Sequence, residues 1–184
     1  MPFVGIPTER IIHCSAEQEG DYWCWAACVK MALALHSLPV AQADVVRAIQ
    51  GHSWFGFAPD DRGATDEEMS LALRLPVLTG AGSVVSNCGY SLGPPTARLV
   101  IDGLNLWLPF IVKVRARSTW HAVLLHGVEV EQDEQPSKAF FFDPSPHSWG
   151  SPLPNGGKLC IASWGESMRC VAAHWVLGTP RVSA

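Results

Sequence analysis

The sequence predicts an α+β domain, and three observations predict it. Helical patterns fill the first part of the chain, to about residue 108. Strand patterns fill the second, from about 109 to 184. The chain has 184 residues and a 48% hydrophobic share, enough for one sizeable core. Helices first and strands later give a helical layer packed on an antiparallel sheet. No repeat, low-complexity tract or linker divides the chain, so residues 1–184 read as a single domain.

The elements follow from local signals. Trp25 to Leu35 is apolar almost all round, the pattern of a central, buried helix. Pro39 ends the turn after it, and Ala41 to Gln50 reads as a second helix with Gly51 as its stop. The stretch from Gly51 to Gly63 is rich in Gly, Pro and aromatics and reads as loop. Thr65-Asp66-Glu67-Glu68 is a capping box, which starts a third helix running through Leu73 and halted before Pro76. Thr96 can cap a fourth, Ala97 to Leu106. Pro109 then leads into a strand, Phe110 to Arg115. Trp120 to Glu131 is a strand, Gln132 to Ser137 a polar turn, and Lys138 to Asp143 the returning strand. Lys158 to Trp164 and Met168 to Leu177 are two further strands, with Gly165-Glu166 suited to a hairpin turn between them.

Composition excludes several classes. Net charge is −4 with 16% charged residues, which argues against nucleic acid as a partner. No apolar run reaches the ~18 to 20 residues that span a bilayer, so no membrane partner is expected. Met1 to Arg10 lacks the basic-then-apolar pattern of a signal peptide. The expectation is a cytoplasmic protein, or one exported without a conventional signal peptide; whether it is an excised toxin domain stays open. The cysteines are Cys14, Cys24, Cys28, Cys88, Cys160 and Cys170. Free thiols are the default for a chain of this size without a signal. Cys24 and Cys28 are four apart, but no second close Cys/His pair completes a ligand set, so neither metal nor other cofactor is expected.

The chemistry concentrates in three segments. Gln18 stands six residues before Cys24 in Gln-Glu-Gly-Asp-Tyr-Trp-Cys-Trp-Ala-Ala-Cys. Cys24 opens the buried helix, where the positive end of the helix dipole favours a thiolate. His121 heads the strand His-Ala-Val-Leu-Leu-His-Gly. Asp143 ends the apolar run Phe-Phe-Phe-Asp and is fixed by Pro144. A hairpin returning from the His121 strand would bring Asp143 back beside the start of that strand. Cysteine, histidine and carboxylate in this order are the parts of a nucleophile, its base and the group that orients the base. His126 is the serious rival to His121. Five residues along one strand, it points to the opposite face and belongs in the core. His13, His36, His52, His147 and His174 lack such a context. Cys28 lies one helical turn beyond Cys24 and reads as a small buried residue.

From Gln18 to Pro144 the order and motifs resemble the papain-like cysteine peptidases. The Trp-Cys-Trp-Ala-Ala motif looks like their short bacterial branch, which includes secreted effector proteases and peptidases of the bacteriocin-leader type. The resemblance implies a papain-like fold with the nucleophile helix against the sheet and the active site in the cleft between. It implies catalytic Cys24, His121 and Asp143, with Gln18 in the oxyanion hole. Asp143 stands where papain has Asn. It implies cleavage of peptide bonds in a protein or peptide substrate, through a thioester acyl-enzyme. A bacterial effector or toxin role would bring an immunity or inhibitor protein as a further partner. A transglutaminase or glutamine deamidase uses the same parts on the same fold, and a catalytically idle binding module is the remaining class. Trp23, Trp25, Trp54, Phe55, Phe57, Trp120 and Trp149 fall near the cleft segments and read mostly as packing, with some lining a subsite.

Overall fold

The computed structural model describes residues 1–51, 62–79, 82–116, 119–148, 150–167 and 172–183. Trp54, Phe55, Phe57, Trp149 and Cys170 lie outside these residues. Among the described residues runs one antiparallel sheet of nine strands. The strands are β1 (Phe3–Gly5), β2 (Val77–Thr79), β3 (Gly82–Leu92), β4 (Phe110–Ala116), β5 (Thr119–Val130), β6 (Pro136–Asp143), β7 (Ser151–Pro152), β8 (Lys158–Ser163) and β9 (Ala172–Ser183). Their order is β2-β3-β9-β4-β5-β6-β8-β7, with β1 pairing β5 off this path. The helices are α1 (Thr8–Cys14), α2 (Cys24–Ala34), α3 (Gln42–Gln50), α4 (Asp66–Ala72), α5 (Ala97–Asn105) and the single turn α6 (Trp164–Ser167).

The period-2 alternation of the strands builds two apolar layers. Ile111, Leu124, Phe142 and Val176 face one side, where they meet Trp25, Met31 and Leu33 of α2. Phe110, Val112, Leu125, Phe141 and Trp175 face the other, under Val100 and Leu104 of α5. In α2 every residue except Lys30 and Ala34 is buried, as its all-round apolar pattern predicts. Both predicted caps form. Thr65 Oγ1 accepts from the Glu68 N–H at 3.2 Å while Glu68 Oε2 accepts from the Thr65 N–H at 2.8 Å. Thr96 Oγ1 accepts from the Leu99 N–H at 3.3 Å.

Two expectations are corrected. The first part of the chain is not only helical, because β1, β2 and β3 come from it and join the sheet. The eleven-residue β3 pairs with β9 along most of its length. Its segment mixes Gly, Ser and Asn with few alternating apolar positions, so it gives little periodic signal. β1 and α1 are likewise too short to show a period. The second correction concerns Gly165-Glu166, which lie within α6 and not in a hairpin turn. β8 pairs with β6, and β9 with β3 and β4, so the two predicted hairpin partners are separated in the sheet. No helix among the described residues is long and apolar enough to cross a membrane.

Candidate active site

One end of the sheet gathers the start of α2, the beginning of β5 and the end of β6. Cys24 is the first residue of α2, whose first turn has no acidic residue and no side-chain cap. No N-cap side chain therefore takes up its N-terminal backbone N–H groups. The β5–β6 ladder pairs Leu124 with Phe142, so Asp143 stands at the level of Val123, beside the start of β5. From there Asp143 Oδ1 lies 2.7 Å from His121 Nε2. Asp143 Oδ1 also accepts the backbone N–H of Ser145 at 2.8 Å, a turn set by Pro144. Gly157, at φ +73°, packs on this strand end so closely that a Cβ there would lie 2.8 Å from the Asp143 carbonyl oxygen.

With Nε2 given to Asp143, Nδ1 is the nitrogen left for the sulfur, and His121 is hydrogen-bonded to Cys24. The backbone N–H of Ala122 also points at Cys24 Sγ, at 3.4 Å. Burial opposes a charge on His121, but the hydrogen bonds and charges of Asp143 and Cys24 outweigh it and raise its pKa to about 10. His121 is thus an imidazolium at neutral pH, placed between a carboxylate and a sulfur. The structure brings the three expected residues together, with Cys24 and Asp143 both buried to 8% exposure.

The rivals fall elsewhere. His126 is 1% exposed, further along β5, where its Nδ1 bonds the Ile6 carbonyl at 3.3 Å. Burial pushes its pKa down to about 4. His174 is wholly buried and is likewise pushed to about 4 by burial, aided by Lys113 and opposed by Asp66. Cys28 is buried beneath Cys24. Burial first, then the charges of Cys24 and Asp143, push its thiol well above the usual range. Cys14, Cys24, Cys28, Cys88 and Cys160 are free thiols. Among the described residues no three His, Cys, Asp or Glu side chains converge as ligands for a metal.

Gln18 is adjacent to the site but its amide faces inward. Nε2 donates to Gly20 O at 3.0 Å and to Asp21 O at 2.9 Å, and Oε1 is buried without a partner. To donate to an oxyanion, Gln18 must release one of these two bonds. Its own backbone N–H is tied to Pro144 O at 3.0 Å, which joins its loop to the strand end carrying Asp143. A residue missed by sequence reasoning secures the loop from the other side. Gln42, at the start of α3 and 0% exposed, donates to Glu17 O at 2.7 Å and accepts from the Glu19 N–H at 3.1 Å. A single Gln at a helix start carries no sequence signal of such a role.

A cleft of about 480 Å³ opens over these groups, lined by Tyr22, Cys24, Trp25, Asp66, Lys113, Trp120 and His121 among others. Tyr22 and Trp120 are half exposed at its rim, and Trp25 is buried in its wall.

No protein-family model and no curated protein sequence matches the chain. Solved structures do. One, described as a C39-like peptidase from Bacillus anthracis, superposes with a TM-score of 0.63 at 11% identity, covering 100% of both chains. The peptidase domain of Streptococcus ComA, a bifunctional ABC transporter involved in quorum sensing, gives 0.58 at 12% identity, over 88% of this chain and 95% of that one. Digestive procathepsin L 3 of the Tenebrio molitor larval midgut gives 0.56 at 15% identity, over 97% of this chain and 70% of that one. The fold is papain-like. The expected architecture, a nucleophile helix on an antiparallel sheet, is therefore the observed one, and in this papain-like frame the cleft lies over the N-terminus of α2.

Proposed function

We propose that the protein is a cysteine peptidase that cleaves peptide bonds of a protein substrate with Cys24, His121 and Asp143. The observation that carries this is the relay at the start of α2, in which a 2.7 Å contact between Asp143 Oδ1 and His121 Nε2 leaves Nδ1 for Cys24. The sulfur of Cys24, as thiolate, attacks the substrate carbonyl carbon. The carbonyl oxygen takes up the negative charge and is received by the backbone N–H of Cys24 and by Gln18, once its amide turns from the loop. His121 passes its Nδ1 proton to the leaving amine as the C–N bond breaks, which leaves a thioester on Cys24. His121, now neutral, takes a proton from water. The resulting hydroxide attacks the thioester, the C–S bond breaks, and the acid is released. Asp143 holds the imidazole in one orientation and stabilises its cation throughout.

The effector or toxin role rests on the likeness of the Trp-Cys-Trp-Ala-Ala motif to the short bacterial branch, and on a chain whose neighbours in fold include two bacterial peptidases. Such a role implies narrow substrate choice and a neutralising partner protein. The test is mass spectrometry of lysate proteins treated with wild type and with Cys24→Ala. New peptide termini made only by wild type support the proposal. Ammonia release or amine incorporation at Gln side chains, without new termini, would instead identify a deamidase or transglutaminase. Equal cleavage by Cys24→Ala would remove Cys24 as nucleophile.

A further inference from the structure

Lys113 breaks the pattern of its own strand. On β4, Phe110 and Val112 face the α5 layer and Ile111 faces the α2 layer. Lys113 falls on the Ile111 side, where alternation calls for an apolar residue. Its partner across the ladder is Ala122, the residue that follows His121 and whose N–H points at Cys24 Sγ. The backbone of Lys113 is therefore one strand spacing, ~5 Å between Cα atoms, from the reacting segment. Lys113 Nζ lies 2.9 Å from Asp66 Oδ1, with the two side chains only 15% and 27% exposed. Both line the cleft over Cys24, amid the apolar surfaces of Trp25, Met69 and Ala122. Behind the pair, His174 Nε2 stands 3.8 Å from Asp66 Oδ1, too far for a hydrogen bond, and its Nδ1 is engaged by Ser70 Oγ at 3.1 Å. A half-buried ion pair brings little net stability, because desolvation offsets most of the attraction. Stability alone does not account for a lysine in this row.

On the peptidase reading above, we propose that Lys113 and Asp66 form a subsite for a carboxamide side chain, Gln or Asn, on a substrate residue flanking the scissile bond. The two charges nearly cancel, so the subsite has no net charge to attract an ion. A substrate carboxylate there meets Asp66, and an ammonium meets Lys113. An alkyl side chain strips water from both heads and offers no hydrogen bond in return. A carboxamide carries an acceptor and two donors. It accepts from Lys113 Nζ and donates to the Asp66 carboxylate while the pair stays joined. The apolar surfaces around the pair take the methylene groups.

The experiment starts from a peptide the wild type cleaves. Each residue flanking the scissile bond is changed in turn to Gln, Asn, Leu, Glu and Lys, and kcat/KM is measured by chromatography with mass detection. At one flanking position, Gln or Asn should exceed Leu, Glu and Lys by at least about tenfold. Lys113→Met should reverse the order in favour of Leu, and Asp66→Asn should erase the preference. Thermal unfolding reports whether each variant is folded, and Asp66→Asn, nearly isosteric, supplies the result if Lys113→Met is not. Equal turnover of Leu and Gln peptides at every position by the wild type would overturn the inference. So would a Glu preference lost in Lys113→Met, which would make Lys113 a lone cation site, or loss of ammonia from the Gln side chain itself. A folded wild type that cleaves no peptide would fail earlier and at a different point, in the peptidase reading.

Discussion

Gln42 is the best place to probe how the fold supports the site. Gln42→Met keeps the volume and removes both polar atoms. It deletes the 2.7 Å bond to Glu17 O and the 3.1 Å bond from the Glu19 N–H. The side chain is 0% exposed, so no water replaces it from outside. Two backbone groups lose their partner at about 1 to 3 kcal/mol each, or about 2 to 6 kcal/mol together. The lower part of that range is expected, because Glu17 and Glu19 are themselves exposed and their backbone can shift toward water. Such a shift carries Gln18 with it, since Gln18 lies between the two clamped residues. Urea unfolding followed by tryptophan fluorescence gives the stability change, and turnover of a cleaved peptide gives the catalytic one. Both should fall, kcat more than KM, and a peptide aldehyde should bind less tightly because its hemithioacetal uses the same oxyanion site. A stability loss below about 0.5 kcal/mol, the range of an ordinary surface substitution, would refute the argument. A loss of stability with kcat and aldehyde affinity intact would limit Gln42 to a purely structural role.

His121→Ala should abolish turnover and slow alkylation of Cys24 by iodoacetamide near neutral pH. His126→Ala should leave turnover measurable and cost about 2 to 4 kcal/mol in unfolding experiments, because it empties a packed site between the Phe3 and Phe140 rings; the opposite pattern would invert their assignment. Gln18→Ala should lower kcat by ~10² to 10³ with KM nearly constant. A pure rise in KM would assign Gln18 to substrate binding and send the search for the second oxyanion donor elsewhere. For pH, turnover should fall as pH rises toward about 10, where the His121 imidazolium deprotonates, and Asp143→Ala should move that fall to lower pH. The raised His121 pKa also contributes stability that is complete below about 6.5 and gone above about 10. His126 and His174 act with the opposite sign. Their pKa values drop from 6.5 to about 4 on folding, so the unfolded chain binds more protons and stability declines as pH falls through that interval. Thermal midpoints between pH 4 and 6.5 measure it, and a flat profile would contradict neutral buried imidazoles.

Much of the frame was legible because local rules set it. The all-round apolar run from Trp25 predicts the buried helix, and Thr65 with Glu68 predicts a cap that forms on both bonds. The polar turn between two apolar runs predicts the β5–β6 hairpin, and its register places Asp143 beside the start of β5. These signals lie within one element or one turn, so the chain carries them by itself. What only the tertiary structure decided depends on residues far apart in sequence. β3 and β9 find each other across separations of eighty residues or more, and neither strand alternates strongly enough to announce the pairing. The supposed hairpin after β8 failed because β6 and β4 were the better partners, a choice made by the whole sheet. The inward turn of the Gln18 amide, the Gln42 clamp on its loop and the Lys113–Asp66 pair in the cleft are of the same kind. Each is a polar group whose meaning comes from the partner that burial supplies, and a linear sequence does not say which partner that is.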